Sequence, residues 1–205
     1  MSEHLPHEMT EEQYRRLPEN IAREIEVVHG HVIVCESPVP EHNRVARRLA
    51  SAMEQLPSTE PCIRAETDID VVLWRVPKFT FRRPDVTVYR CLSERGAKPE
   101  ASDALIVVEV SSPSTAAEDL LDKKAQYARV GIPLYLVVSL DTKYEIEEVR
   151  EFRLDAYAGS TACTGCTEKA SSSWSTLSSE KSASPTWSAD EGRGDRSWWM
   201  SAPGR

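Results

Sequence analysis

The chain has 205 residues, 40% of them hydrophobic and 28% charged, with a net charge of −8 at pH 7. That length allows one ordinary domain with a substantial core, plus some excess. The acidic balance argues against a general nucleic-acid coat protein, and no run approaches the ~18 apolar residues of a membrane span.

In chain order, Thr10 caps a predicted short helix from Glu11 to Leu17. Two strands, Glu24 to Val28 and Val32 to Glu36, flank a turn at His29-Gly30, which is a hairpin pattern. After Pro38 and Pro40 a helix runs from about Glu41 to Gln55. Val45, Leu49, Met53 and Leu56 form its core stripe, and His42, Arg44, Arg47 and Arg48 lie largely off it. Ile63 to Leu73 alternates as one strand, with Asp68 and Asp70 on its polar face. A loop around Pro77 leads into a strand opened by Asp85. The near-continuous apolar run Ala104 to Val110 then predicts a central strand buried on both faces. Thr115 and Glu118 form a capping-box pattern for a helix whose core stripe is Leu121, Ala125 and Ala128. Gly131-Ile132-Pro133 stops it, and strands Leu134 to Ser139 and Glu145 to Phe152 follow. The order describes an α/β fold, a mixed β-sheet flanked by helices.

The acidic opening lacks the basic-then-apolar pattern of a signal peptide. Cys35, Cys62 and Cys91 read as free buried thiols, which suits a reducing, cytoplasmic compartment. From residue 158 the composition changes. Residues 158–205 contain twelve serines and four of the five tryptophans, with Leu177 as the sole Leu, Ile or Val. Such a segment cannot bury enough apolar surface to offset its ordering entropy, so the expectation is a domain over 1–157 and a disordered tail over 158–205.

Two carboxylates stand in apolar strand runs: Asp85, in Arg83-Pro84-Asp85-Val86, and Glu109, in Val107-Val108-Glu109-Val110. A charge there is costly unless paired. Two on neighbouring strands suit a hard cation, because oxygen ligands on rigid elements suit magnesium. The alternative is that both pair with arginines such as Arg82 and Arg83.

This arrangement resembles the PD-(D/E)xK nuclease superfamily, in which an Asp and an acidic residue ligate magnesium and a lysine two positions on assists the attacking water. Within it, Glu26-Val27-Val28-His29-Gly30, His42, Pro84-Asp85-Val86, Val108-Glu109-Val110, Ser112-Pro113-Ser114-Thr115, Asp119, Lys123, Tyr127 and Gly131-Ile132-Pro133 resemble the Uma-two family of restriction-endonuclease-like proteins. The resemblance covers roughly Leu17 to Phe152. It implies a restriction-endonuclease-like fold and a magnesium- or manganese-dependent endonuclease acting on DNA. Asp85, Glu109 and Lys123 would be catalytic, and Asp85, Glu109, the Val110 carbonyl and Glu26 would be metal ligands. Ser111 stands where the superfamily has its lysine, and the family carries that lysine on the following helix, at Lys123. Alternatives remain for individual residues. Glu26 also reads as a solvent-facing hairpin residue, and Asp119–Lys123 as a surface pair worth about 0.3–0.5 kcal/mol. His42, Arg44 and Arg47 are candidates for contact with a DNA backbone, or a solvated basic face. A homodimer is left open, and the competing function is a nucleic-acid- or protein-binding module with a vestigial site.

Overall fold

The structure, a computed structural model, describes residues 5–35, 37–57, 60, 62–111, 122–155 and 160–167. Two sheets carry the fold. The smaller has the order β2-β1-β5-β4, built from β1 (Ile25–Val28), β2 (His31–Val34), β4 (Val71–Trp74) and β5 (Thr80–Arg82). The larger has the order β10-β9-β8-β7-β6-β3, from β3 (Ile63–Thr67), β6 (Val86–Arg90), β7 (Ala104–Ser111), β8 (Leu134–Leu140), β9 (Ile146–Asp155) and β10 (Ser160–Thr167). β7 and β8 run parallel, and the other pairings between these strands are antiparallel.

The β1–β2 turn is tight because His29 and Gly30 both take positive φ, 50° and 80°, the conformation that matches the twist of a two-residue hairpin. Helix α1 (Glu11–Arg15) starts at Thr10, whose hydroxyl accepts from the Gln13 amide while the Gln13 side chain returns to the Thr10 amide. The short α2 (Glu19–Ala22) follows and leads into β1.

Helix α3 (Pro40–Glu54) lies on one face of the large sheet. Ala46 and Ala50, both buried, bring it close to Val86, Val108, Val110 and Val138. Each fully covered valine there contributes about 1.5–3 kcal/mol of burial. Val45, Leu49 and Met53 pack at the margin of this core, whereas Leu56, expected in the stripe, lies past the helix end and is exposed. The opposite face of β7 packs Val107 against Val71 and Leu73 of the small sheet and against Tyr127 of α4 (Lys124–Arg129). β7 is therefore covered on both faces, as its apolar run predicts.

Three expectations are corrected. The alternating run Ile63 to Leu73 is two strands in different sheets. Asp68, at φ 54°, turns the chain between β3 and β4, and the period-two pattern survives because each half alternates separately. Asp70, expected on a polar face, is buried and accepts from Arg83 Nε at 2.8 Å and from the Tyr14 hydroxyl at 2.6 Å. Cys62 and Cys91 are joined in a disulfide rather than free, where β3 and β6 meet, and only Cys35 of the three is a free thiol. The pair removes the cysteine argument for a reducing compartment.

Residues 160–167, placed by composition in the tail, form β10 and pair antiparallel with β9 from Ser160↔Asp155 to Thr167↔Val149. Ladder pairing through the backbone needs no aliphatic side chains, which is why composition missed it. The remaining tail, 168–205, and the Thr115–Glu118 capping box lie outside the described residues.

Candidate active site

β6 and β7 bring the two carboxylates side by side. Val86 pairs with Val108, so Asp85 and Glu109 are the next residues along the two antiparallel strands. Glu109 is 3% exposed, and such burial is tolerable only because both its oxygens are engaged. Lys123 Nζ lies 2.8 Å from Oε2, and the Tyr127 hydroxyl donates to Oε1 at 2.7 Å.

Lys123 and Tyr127 are four residues apart, one turn of helix, and so reach the same carboxylate. Their face is the inward face of α4: Tyr127 is buried, whereas Ala125, expected in the core stripe, is exposed. The helix is thus rotated from its apolar reading, because an aromatic ring with a polar tip can enter a core where a charge needs a partner. Burial, then the charge of Glu109, pushes the Tyr127 hydroxyl well above its ordinary pKa.

Beside Glu109, Asp85 Oδ2 accepts the Val110 amide at 2.6 Å. His42 reaches the same place from α3. Its Nε2 donates to the Val110 carbonyl at 2.7 Å and stands 3.2 Å from Asp85 Oδ2. His42 was expected off the core stripe. It instead lies on the face of Ala46 and Ala50, four and eight residues on, with its side chain only 16% exposed. Burial lowers its pKa, but the hydrogen bond and charge of Asp85 outweigh that and the net shift is upward. Arg44 and Arg47, by contrast, are exposed and make no ion pair among the described residues.

Glu26 is not solvent-facing. It is 4% exposed, with Oε2 on Arg82 Nη1 and Oε1 on the Arg83 amide, both at 2.7 Å. Arg82, 2% exposed, also donates from Nε to Gln126 Oε1 at 2.9 Å, tying the small sheet to α4 beside Tyr127. Burial disfavours the Arg82 charge, yet Glu26 more than offsets it and the pKa is raised.

The family model described as "Uma2: Putative restriction endonuclease" matches residues 11–168. The chain belongs to the Uma2 family. A solved structure titled as a putative nuclease belonging to DUF820 from Anabaena variabilis ATCC 29413 has a TM-score of 0.54 at 16% identity, over 72% of this chain and 80% of that one. At that identity the likeness is one of fold. No curated protein matches the chain.

The Uma2 match takes in every residue of the candidate site and extends through β10, past the boundary expected at 157. Three residues near the site had been assigned no role. Tyr127 had a usable signal in its four-residue spacing from Lys123. Asp68 follows Thr67, which pairs with Val86, so it neighbours Asp85; desolvation and then the Asp85 charge raise its pKa. Ser111, two residues after Glu109, is fully buried and its hydroxyl has no partner among the described residues.

The residues present fit a hard cation in kind. Two carboxylates and a carbonyl come from adjacent strands, and an orphaned buried hydroxyl stands two residues after Glu109 on β7. Among the described residues no group of three or more His, Cys, Asp or Glu side chains is placed to hold a metal ion. Two carboxylates and a carbonyl are a donor set of the kind magnesium takes, with water in its other positions.

Proposed function

We propose that this chain is a divalent-metal-dependent endonuclease that hydrolyses DNA phosphodiester bonds. The observation that carries the reading is Lys123 Nζ at 2.8 Å from Glu109, one strand from Asp85, in a chain of the Uma2 family. Asp85, Glu109 and the Val110 carbonyl would hold Mg2+ or Mn2+, which when bound supplies Lewis acidity to the scissile phosphate and lowers the pKa of a water. Lys123 holds a positive charge where the attacking water and the developing phosphate charge are stabilised. Arg44 and Arg47, exposed on α3, supply phosphate contacts that fix position without reading sequence. Tyr127 keeps Glu109 oriented, and the Glu26–Arg82 pair supports α4 from below.

Nicking of supercoiled plasmid in Mg2+ or Mn2+, stopped by chelation and absent with Glu109→Ala, is the result this reading requires. A second reading, a metal-free binding module on the same fold, is favoured by one observation: both Glu109 oxygens already have protein partners. Under it, neither cation raises the melting temperature and plasmid stays intact.

A further inference from the structure

We propose that His42 Nε2 is a fourth protein ligand of the divalent cation, beside Asp85, Glu109 and the Val110 carbonyl, and that the site consequently prefers manganese to magnesium. This rests on the metal-dependent reading above and assigns His42 a role other than contact with a DNA backbone.

The geometry has three parts. First, α3 fixes the ring. His42 lies on the helix face that packs Ala46 and Ala50 against the large sheet, and little of its side chain reaches solvent. Second, Nε2 stands 2.7 Å from the Val110 oxygen and 3.2 Å from Asp85 Oδ2. Neighbouring ligands on an octahedral cation with bonds of about 2.1 Å are about 3 Å apart, so these spacings are those of adjacent ligands. Third, the Val110 amide fixes Asp85 Oδ2 at 2.6 Å, so the carboxylate holds its place without the ion. To act as a ligand, Nε2 gives up the proton it now donates to the Val110 oxygen and turns its lone pair to the ion. The bond to the Val110 carbonyl places the proton on Nε2, and Nδ1, buried and without a hydrogen-bond partner among the described residues, is the nitrogen that carries it once Nε2 is a ligand.

The metal preference follows from the donor type. Imidazole nitrogen suits transition metals, whereas magnesium favours carboxylate, carbonyl and water oxygens. A site of oxygens alone would have no such bias.

The test uses the full chain and the metals themselves. Pulsed electron paramagnetic resonance of the Mn2+-loaded protein should show a nitrogen coupling that changes when histidine is labelled with nitrogen-15 and is lost in His42→Gln. The same variant should bind Mn2+ at least about tenfold more weakly while Mg2+ affinity moves by less than that. Mn2+ that is lost in Asp85→Asn but shows no nitrogen coupling in the wild type would overturn the His42 ligand and leave the carboxylate site standing. Mn2+ binding indifferent to Asp85→Asn would overturn both.

Discussion

The Tyr127 hydroxyl donates to Glu109 Oε1 at 2.7 Å, on the same carboxylate whose other oxygen faces Lys123. A charge buried in the central strand is thereby held between a phenol and an ammonium group from one helix turn. The carboxylate is presented in one orientation, and the helix that presents Lys123 is locked to it.

Tyr127→Phe removes the donor and keeps the ring. Glu109 Oε1 then loses a buried hydrogen bond, and the variant should unfold about 1–3 kcal/mol more easily without metal. Chemical denaturation with and without Mn2+ checks this, and unchanged stability in both would show that the hydroxyl does not support the carboxylate.

Lys123→Met should lower turnover by about two or more orders of magnitude, the scale expected for a group that stabilises a developing charge or a reacting water. Removing the cation beside Glu109 should leave Mn2+ affinity unchanged or raised. Steady-state cleavage and metal titration separate the two effects. Normal turnover in this variant with loss in Lys124→Met would move the role by one residue.

Glu26→Gln distinguishes a support from a ligand. Neutralising Glu26 removes the carboxylate that offsets the charge of Arg82, which is 2% exposed, at a cost of about 3–5 kcal/mol. Support therefore predicts a large stability loss with little change in Mn2+ affinity of the folded protein. Retained stability with lost Mn2+ binding would make Glu26 a ligand.

A chain ended at Tyr157 lacks β10 and exposes the β9 edge, whereas one ended at Thr167 keeps the ladder from Ser160↔Asp155 to Thr167↔Val149. Loss of that ladder should lower the melting temperature by about 5 °C or more and promote self-association through the bare edge. Light scattering and thermal melts of the two chains decide it, and equal behaviour would show that β10 does not support the sheet.

What the sequence made legible were the elements whose periodicity is set by burial. The hairpin at His29-Gly30, the central strand around Glu109 and the neighbouring position of Asp85 all follow from apolar pattern and turn chemistry. The misreadings share a cause. His42 was placed off the core stripe of α3 and Ala125 within that of α4, because polar atoms normally point to water, yet His42 and Tyr127 are turned inward with a partner supplied by a distant strand. The split at Asp68 was hidden because alternation does not record which sheet a residue joins. Arg82 reaches Glu26 across 56 residues of sequence, a pairing that only the small sheet, itself unforeseen, makes close.

The measurement that tests the central claim most directly is the rate of Mn2+-dependent plasmid nicking by Asp85→Asn and Glu109→Gln beside the wild-type chain, all shown to be folded. The account predicts nicking by the wild type and a loss of at least about a hundredfold in each variant. Wild-type nicking that persists undiminished in either variant would contradict the assignment of this site.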